Sequence, residues 1–416
     1  MNKALIKKYG TLLLLAAGSG FIFQLPFIRE TFYVPIQKAM GLTNSQMGML
    51  NSWYAIVATP AYFLGGIVAD KFSPKIMLTF SFISTGILGL WFSTFPGFTA
   101  SRIIFALMGF TTVMTFWSSV IKATRMLGNS REQGRLFGLQ EGLRGILNAL
   151  LVFVMAGIYA GFSDKVVGAA WSIRFCAILL LVVGVLCWFV IDRRQEDGKS
   201  ETLGEVVIGM FRCLKIPKVW LLVGIVFTAY SIYGIMSYIT TYAINIYGMS
   251  EEMGATIGGI RYLLQGVGGI IGGFLADKIH SRLKVIMGSS ALLAVSYILY
   301  LAIPNSASGL PLVLINFMFG LILVYAIRSQ YFADIDDAGL DVNITGRVSG
   351  IVSTFGYLPD LFIFTMIGSW IDKGHFGYNM MFIYAGAMGI GCLLFAFILQ
   401  RVINKKPEKA NQQNRL

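Results

Sequence analysis

The sequence predicts an all-α membrane protein with twelve transmembrane helices in two pseudo-symmetric six-helix bundles. Three observations predict it: an apolar composition with few charges, a series of long apolar segments, and a loop motif that recurs at half-chain spacing.

Of the 416 residues, 56% are hydrophobic and 13% are charged. A soluble domain carries about 25% charged residues. Water cannot accommodate so much apolar surface on one small protein, so the solvent for most of it is lipid. The 47 glycines fit membrane helices, where small residues let backbones approach closely. The net charge of +13 raises the question of nucleic acid, but the basic residues sit in short loops between apolar segments and not on one face of a soluble domain. Cys176, Cys187 and Cys392 lie in apolar segments and Cys213 in the central loop, with no metal or disulfide spacing. The two histidines, His280 and His375, are both in loops. No phosphate-loop lysine motif is present, and nothing resembles a paired nucleophile and base, so the chain is not expected to be an enzyme or to use a metal or cofactor.

A bilayer core of about 30 Å takes about 20 apolar residues per helix. Such segments are expected at 10–38, 46–69, 76–94, 98–123, 132–161, 170–192, 219–247, 252–276, 283–303, 309–333, 345–371 and 377–401. The N-terminus imitates a signal peptide, with Lys3, Lys7 and Lys8 before an apolar run from Leu12. That run continues past a normal signal core, so it is expected to remain as the first helix. The stretch Asp192 to Lys218 is the longest polar connection. It divides the chain into a first bundle, 1–192, a linker, 193–218, a second bundle, 219–403, and a tail, 404–416. With an even helix count both termini share one side. Of the 33 Lys and Arg, only Lys38, Lys165 and Lys373 fall on the other side, and six arginines fall within helices. The positive-inside rule therefore places both termini in the cytoplasm.

Gly66-Ile67-Val68-Ala69-Asp70-Lys71 ends the second segment and Lys75 follows; Gly273-Phe274-Leu275-Ala276-Asp277-Lys278 ends the eighth and Arg282 follows, 207 residues later. A second echo pairs Gly134-Arg135-x-x-Gly138 with Gly346-Arg347-x-x-Gly350. Two matches at nearly one offset indicate internal duplication.

This repeated loop, G-x-x-x-D-[KR]-x-x-x-[KR], resembles the signature of the major facilitator superfamily, and the resemblance covers nearly the whole chain. It implies secondary transport by alternating access, with Asp70 and Asp277 holding helix ends together. Within that superfamily the chain is most similar to the organophosphate and organic-anion antiporter branch, on Phe27-Ile28-Arg29-Glu30-Thr31-Phe32, Tyr233-Gly234-Ile235 and Phe355-Gly356-Tyr357-Leu358. Arg29–Pro35 with Gly65–Pro74 also looks like the YihN-type bacterial inner-membrane permeases. There are departures. The arginine that sugar-phosphate antiporters carry before the Tyr-Gly is Ile232 here, and a buried histidine of the fifth helix is replaced by Arg144.

Six arginines fall within helices: Arg29, Arg102, Arg144, Arg174, Arg261 and Arg328. Each costs about 2.5–3.5 kcal/mol at mid-membrane, so they must snorkel, pair with acids, or face a wet cavity. Arg102 and Arg174 lie near helix ends, where snorkelling suffices. Glu141 is one turn from Arg144, so a structural pair and a ligand contact are equally open. Glu30 points about 100° away from Arg29 round the helix, and Arg261 has no acid one turn away. Arg29, Arg261, Arg328 and Arg144, with Tyr233 and Tyr357, are the expected substrate-binding residues. The intramembrane acids Glu30, Glu141 and Asp360 are the candidates to carry a coupling proton, or else to pair with arginines. Gln24, Tyr33, Tyr54, Trp117, Tyr230, Tyr262, Gln265 and Tyr325 are polar-tipped residues that suit a hydroxylated solute. The glycines Gly266, Gly268, Gly269, Gly272 and Gly273 are read as close helix packing.

Guanidinium forks bind carboxylate, phosphate or sulfonate oxygens bidentately, and the arginines outnumber the acids, so a small organic anion is the expected substrate. Two other readings stay open: proton-coupled transport of a neutral sugar or nucleoside, and a membrane sensor that binds without transporting. The expected partners are the solute and the lipid bilayer, with no nucleic acid, and the chain is expected to be a monomer in the bacterial inner membrane.

Overall fold

The computed structural model describes residues 3–128, 133–191, 203–331, 338, 340 and 345–404. The described residues are helical with connecting turns and contain no strand. The helices are α1 Lys3–Phe21, α2 Arg29–Met40, α3 Asn44–Lys71, α4 Pro74–Phe92, α5 Phe98–Gly109, α6 Ser118–Arg125, α7 Gln133–Ala160, α8 Lys165–Val190, α9 Leu203–Cys213, α10 Pro217–Met236, α11 Ile239–Tyr247, α12 Glu251–Ile279, α13 Arg282–Tyr300, α14 Leu310–Gln330, α15 Thr345–Gly356, α16 Ile363–Ile371 and α17 His375–Asn404. Among the described residues, ten continuous or nearly continuous helical segments are long and apolar enough to cross a membrane. The pair α1–α2 and the helix α3 complete a set of twelve.

Four of the expected segments are not regular helices, and a proline sits in the break of two of them. The first breaks over residues 22–28, where Pro26 supplies no N–H. The Pro26 carbonyl is satisfied instead by the buried Asn51 amide at 3.1 Å. Inside α2, Phe32 leaves helical geometry (φ −123°, ψ 44°) next to Thr31, the residue whose carbonyl the Pro35 ring crowds. The seventh breaks at Ser237–Tyr238, and the eleventh passes through a 3₁₀ turn at Leu358–Leu361 that contains Pro359. In the fourth, Phe110–Trp117 is π-helical. The wider turn aims a ladder of threonines at neighbouring helices: Thr111 to Thr85 (2.7 Å), Thr112 to Tyr54 (2.9 Å) and Thr115 to Ser81 (2.6 Å). Such bonds join helices in a medium without competing water.

The chain groups into two compact units. The first comprises Met1–Ser200, Ser237–Leu263 and Asp360–Gly374. It contains α1 to α8, with α11, the start of α12 and α16. Here α16 lies against α3 in direct backbone contact. A Cβ added to Gly48 would stand 2.0 Å from the Phe364 carbonyl oxygen, and one added to Gly368 would stand 2.2 Å from that of Asn44. The second unit comprises Glu201–Met236, Leu264–Pro359 and His375–Leu416. In it α13 packs on α17, with Tyr300 stacked on Phe382 at 4.6 Å. Two of the five glycines read as packing residues meet a neighbouring backbone: Gly268 would touch Ile322 and Gly272 would touch Ala326, both on α14. Gly266 and Gly273 face open space. The Lys218 ammonium donates to the Ala338 carbonyl.

Candidate functional site

In the first unit, the break after α1 starts α2 at Arg29, and the side chain is 3% exposed. Its Nη2 donates to Ser237 Oγ at 3.2 Å. The guanidinium lies 3.9 Å above the Phe364 ring and 4.7 Å from that of Tyr238. These partners come from the breaks of the seventh and eleventh segments, so three interrupted helices converge on one cation. Nε and Nη1 are buried without a hydrogen-bond partner, and no described carboxylate pairs with the group. The Tyr238 hydroxyl donates to the Phe364 carbonyl at 2.8 Å, which fixes the two rings.

One residue on, Glu30 faces the other way and accepts from Arg261 of α12 at 2.9 Å. Arg29, Glu30, Ser237 and Thr241 line a cavity of about 10 Å³, the room of about one water. Asp360 lies in the 3₁₀ turn, within electrostatic reach of Tyr54. Arg144 is half-buried on α7, and Gln24 donates to Asn148 on the same helix at 2.8 Å. The side chains of Glu141, Gly66, Asp70 and Lys71 lie outside the described residues. Lys75 sits 4.9 Å from the Trp188 ring. In the second unit Asp277 and Lys278 are exposed and Arg282 is half-buried.

The second unit holds the other cluster. Arg328, half-buried on α14, stacks on Tyr233 at 4.0 Å and lies 5.4 Å from Tyr230. Tyr331 and Tyr357 also stand within electrostatic reach of it, their hydroxyls 3.4 Å apart. Tyr230 packs against Tyr357 with ring centroids 4.5 Å apart, and Tyr233 meets Tyr325 edge-on at 6.0 Å. Three helical segments thus surround one guanidinium with phenols. No described carboxylate pairs with Arg328, and its Nη1 is buried without a hydrogen-bond partner. The stacked face is covered, so the N–H edge is what the group can offer an oxyanion, with phenol hydroxyls at hand for a polyol or acid.

The structure thus brings Arg328, Tyr233 and Tyr357 into one cluster and pairs Glu30 with Arg261, while Arg29 lies apart from that pair, on Ser237, Tyr238 and Phe364. Residue-by-residue reading missed Tyr331, although it follows Arg328 by three positions on one helix face. It also missed Ser237, Tyr238 and Phe364, which reach Arg29 only through helix breaks. Pro359 marks the break before Phe364, but the break at Ser237–Tyr238 contains no proline.

A bundle of apolar helices, with interrupted spans and buried arginines, defines a polytopic membrane protein. The sequence matches the Major Facilitator Superfamily over residues 9–364, and the chain belongs to that family. It is 31% identical over 412 residues to the inner membrane protein YihN of Escherichia coli (strain K12), covering 97% of this chain and 98% of that one. It is 32% identical to the inner membrane protein YqcE of the same organism, covering 94% and 95%. The hexuronate transporter of Bacillus subtilis (strain 168) is 23% identical, covering 91% of each chain. The fold is similar to the crystal structure of a mutant of the nucleoside transporter NupG, with a TM-score of 0.76 at 12% identity, covering 95% of this chain and 99% of that one. The chain is therefore a multi-pass transporter of this superfamily and not an enzyme.

Proposed function

We propose that the chain moves a small organic anion across the bacterial inner membrane by alternating access, and that Arg328 with its tyrosines recognises the anionic group. The observation that carries this reading is the Arg328 guanidinium, which no described carboxylate neutralises and which has a phenol-lined surround. Arg328 is a half-buried cation with no described carboxylate partner, and an oxyanion bound to its N–H edge supplies the missing negative charge. Arg29 is a second cation of the same kind; it becomes available to solute only when the Tyr238 and Phe364 rings move off it. Support also comes from a relative whose name states an acidic solute, the hexuronate transporter. The bodies that alternate are the halves 1–192 and 219–403, joined by the linker 193–218, with both termini in the cytoplasm and the chain acting as a monomer. The gating motif Gly66, Asp70, Lys71 and Lys75 with Gly273, Asp277, Lys278 and Arg282 belongs to the same proposal.

A thermal-shift screen of the purified protein against carboxylated, phosphorylated, sulfonated and neutral metabolites tests it, followed by uptake of the best binder into proteoliposomes. Anions are expected to raise the midpoint of the native protein and not that of Arg328→Gln. Preference for a neutral metabolite, unchanged in Arg328→Gln, sinks the reading.

One observation favours a second reading. The Glu30–Arg261 ion pair shows an intramembrane arginine already neutralised, as proton-coupled transport of a neutral polyol requires. Dependence of uptake on a pH gradient rather than on a counter-anion selects this reading over the first.

A further inference from the structure

An exposed face of the first unit carries a groove of about 250 Å³ lined by Trp53, Thr99, Arg102, Ile103, Ala106 and Leu107. It has a polar end and an apolar trough. Arg102 stands one turn inside the start of α5, the depth at which a membrane helix meets the interface. Its Nη2 donates to Thr99 at 3.1 Å, and its guanidinium lies 4.9 Å from the Phe98 ring and 5.6 Å from the Trp53 ring. No described carboxylate pairs with it, and its Nε is buried without a hydrogen-bond partner. Trp53 reaches over from α3, 39% exposed. One turn deeper, the small Ala106 lies between Ile103 and Leu107, which are 51% and 44% exposed.

We propose that this groove is a binding site for one anionic phospholipid, with the phosphate on Arg102 and an acyl chain along Ile103, Ala106 and Leu107. The charge at the polar end calls for an anion. The trough below it calls for hydrocarbon, and only a lipid presents both at that depth. A snorkelling arginine on a mobile stem would contact any headgroup that passes. Here rings from two helices and a threonine hold the guanidinium in one place, and a fixed cation above a shaped trough makes a retained site. It is separate from the Arg328 and Arg29 clusters and stands or falls independently of the substrate.

The test uses the purified full chain in neutral detergent, with its thermal midpoint read as phosphatidylglycerol is added to the micelles. The expected result is an upward shift larger than that given by the same mole fraction of phosphatidylcholine, and no shift with glycerol phosphate, which lacks the chains. A ligand that binds only the folded state raises the midpoint in this way. Arg102→Gln, which removes the charge, and Ala106→Trp, which fills the trough, are each expected to lose at least half of the shift. Ile315→Trp, at an exposed position on α14 in the other unit, keeps it. Equal shifts with the two lipids, a full shift with glycerol phosphate, or a full shift retained in Ala106→Trp overturns the proposal. Ala106→Trp decides the matter if Arg102→Gln does not fold, and native mass spectrometry of both proteins reads retained lipid directly.

Discussion

Glu30 and Arg261 meet at 2.9 Å with both side chains 4% exposed, although one lies at the start of α2 and the other on α12. Removing one member of a buried pair leaves the other charged in a low dielectric, at a cost of about 3–5 kcal/mol. Glu30→Gln and Arg261→Gln are therefore each expected to lower the thermal midpoint strongly. The double variant exchanges the pair for two amides and is expected to recover most of the loss. A double-mutant cycle in detergent measures the coupling. Simple additivity of the two single effects contradicts a direct pair.

Arg328 makes the opposite prediction. It has no described carboxylate to abandon, so Arg328→Gln is expected to leave the unliganded midpoint close to the native value. The loss falls on ligand stabilisation, where a hydrogen bond to a charged group is worth about 1.5–3 kcal/mol. Arg328→Lys keeps the charge without the planar fork and is expected to retain part of the binding. Calorimetric titration with the best anion from the screen separates the three proteins.

The fold was legible because apolar length is a one-dimensional property: a bilayer demands it segment by segment, and the duplicated loop adds the pairing of halves. The Arg328 cluster was partly legible for a similar reason, since Tyr233, Tyr357 and Arg328 are each unusual inside a span. The partners of Arg29 were not. Ser237, Tyr238 and Phe364 reach it because proline-containing or irregular turns redirect the chain, and a turn's direction is set by tertiary packing. The Glu30–Arg261 pair was hidden for the same reason. Spacing along one helix reveals only acids on that helix, and the partner of Arg261 comes from another.

Asp372 accepts from the backbone N–H groups of Asn44 and Ser45 at 2.9 and 3.0 Å and from the Asn44 amide at 2.9 Å. It thus caps α3 from the end of α16, and the Gly48 and Gly368 contacts hold the two backbones together nearby. Gly48→Ala or Gly368→Ala drives a methyl group into a carbonyl, and overpacking of this kind costs about 1–3 kcal/mol. Gly266→Ala, with nothing near its Cβ, is expected to be neutral or to gain up to about 1 kcal/mol of helix propensity. Labelling of a cysteine placed at Ser45 reports the change: it rises in Gly368→Ala and stays at the native level in Gly266→Ala.

Near that face, Lys38 Nζ lies 2.5 Å from Glu251, but the lysine is 67% exposed. The other oxygen of Glu251 accepts from Tyr159 at 2.6 Å, and the tyrosine is fully buried. Short distance alone would rank the two contacts equally. Solvent decides otherwise. An exposed ion pair is worth about 0–1 kcal/mol and is screened by salt, because the Debye length shrinks to about 3 Å at 1 M. The phenol holds its place through packing, and its bond to a carboxylate is worth about 1.5–3 kcal/mol. Tyr159→Phe is therefore expected to destabilise the protein more than Lys38→Gln, and its effect is expected to persist in 1 M salt while that of Lys38→Gln disappears. Chemical denaturation of both variants at low and high salt reads the difference. A larger, salt-resistant loss in Lys38→Gln reverses the ranking.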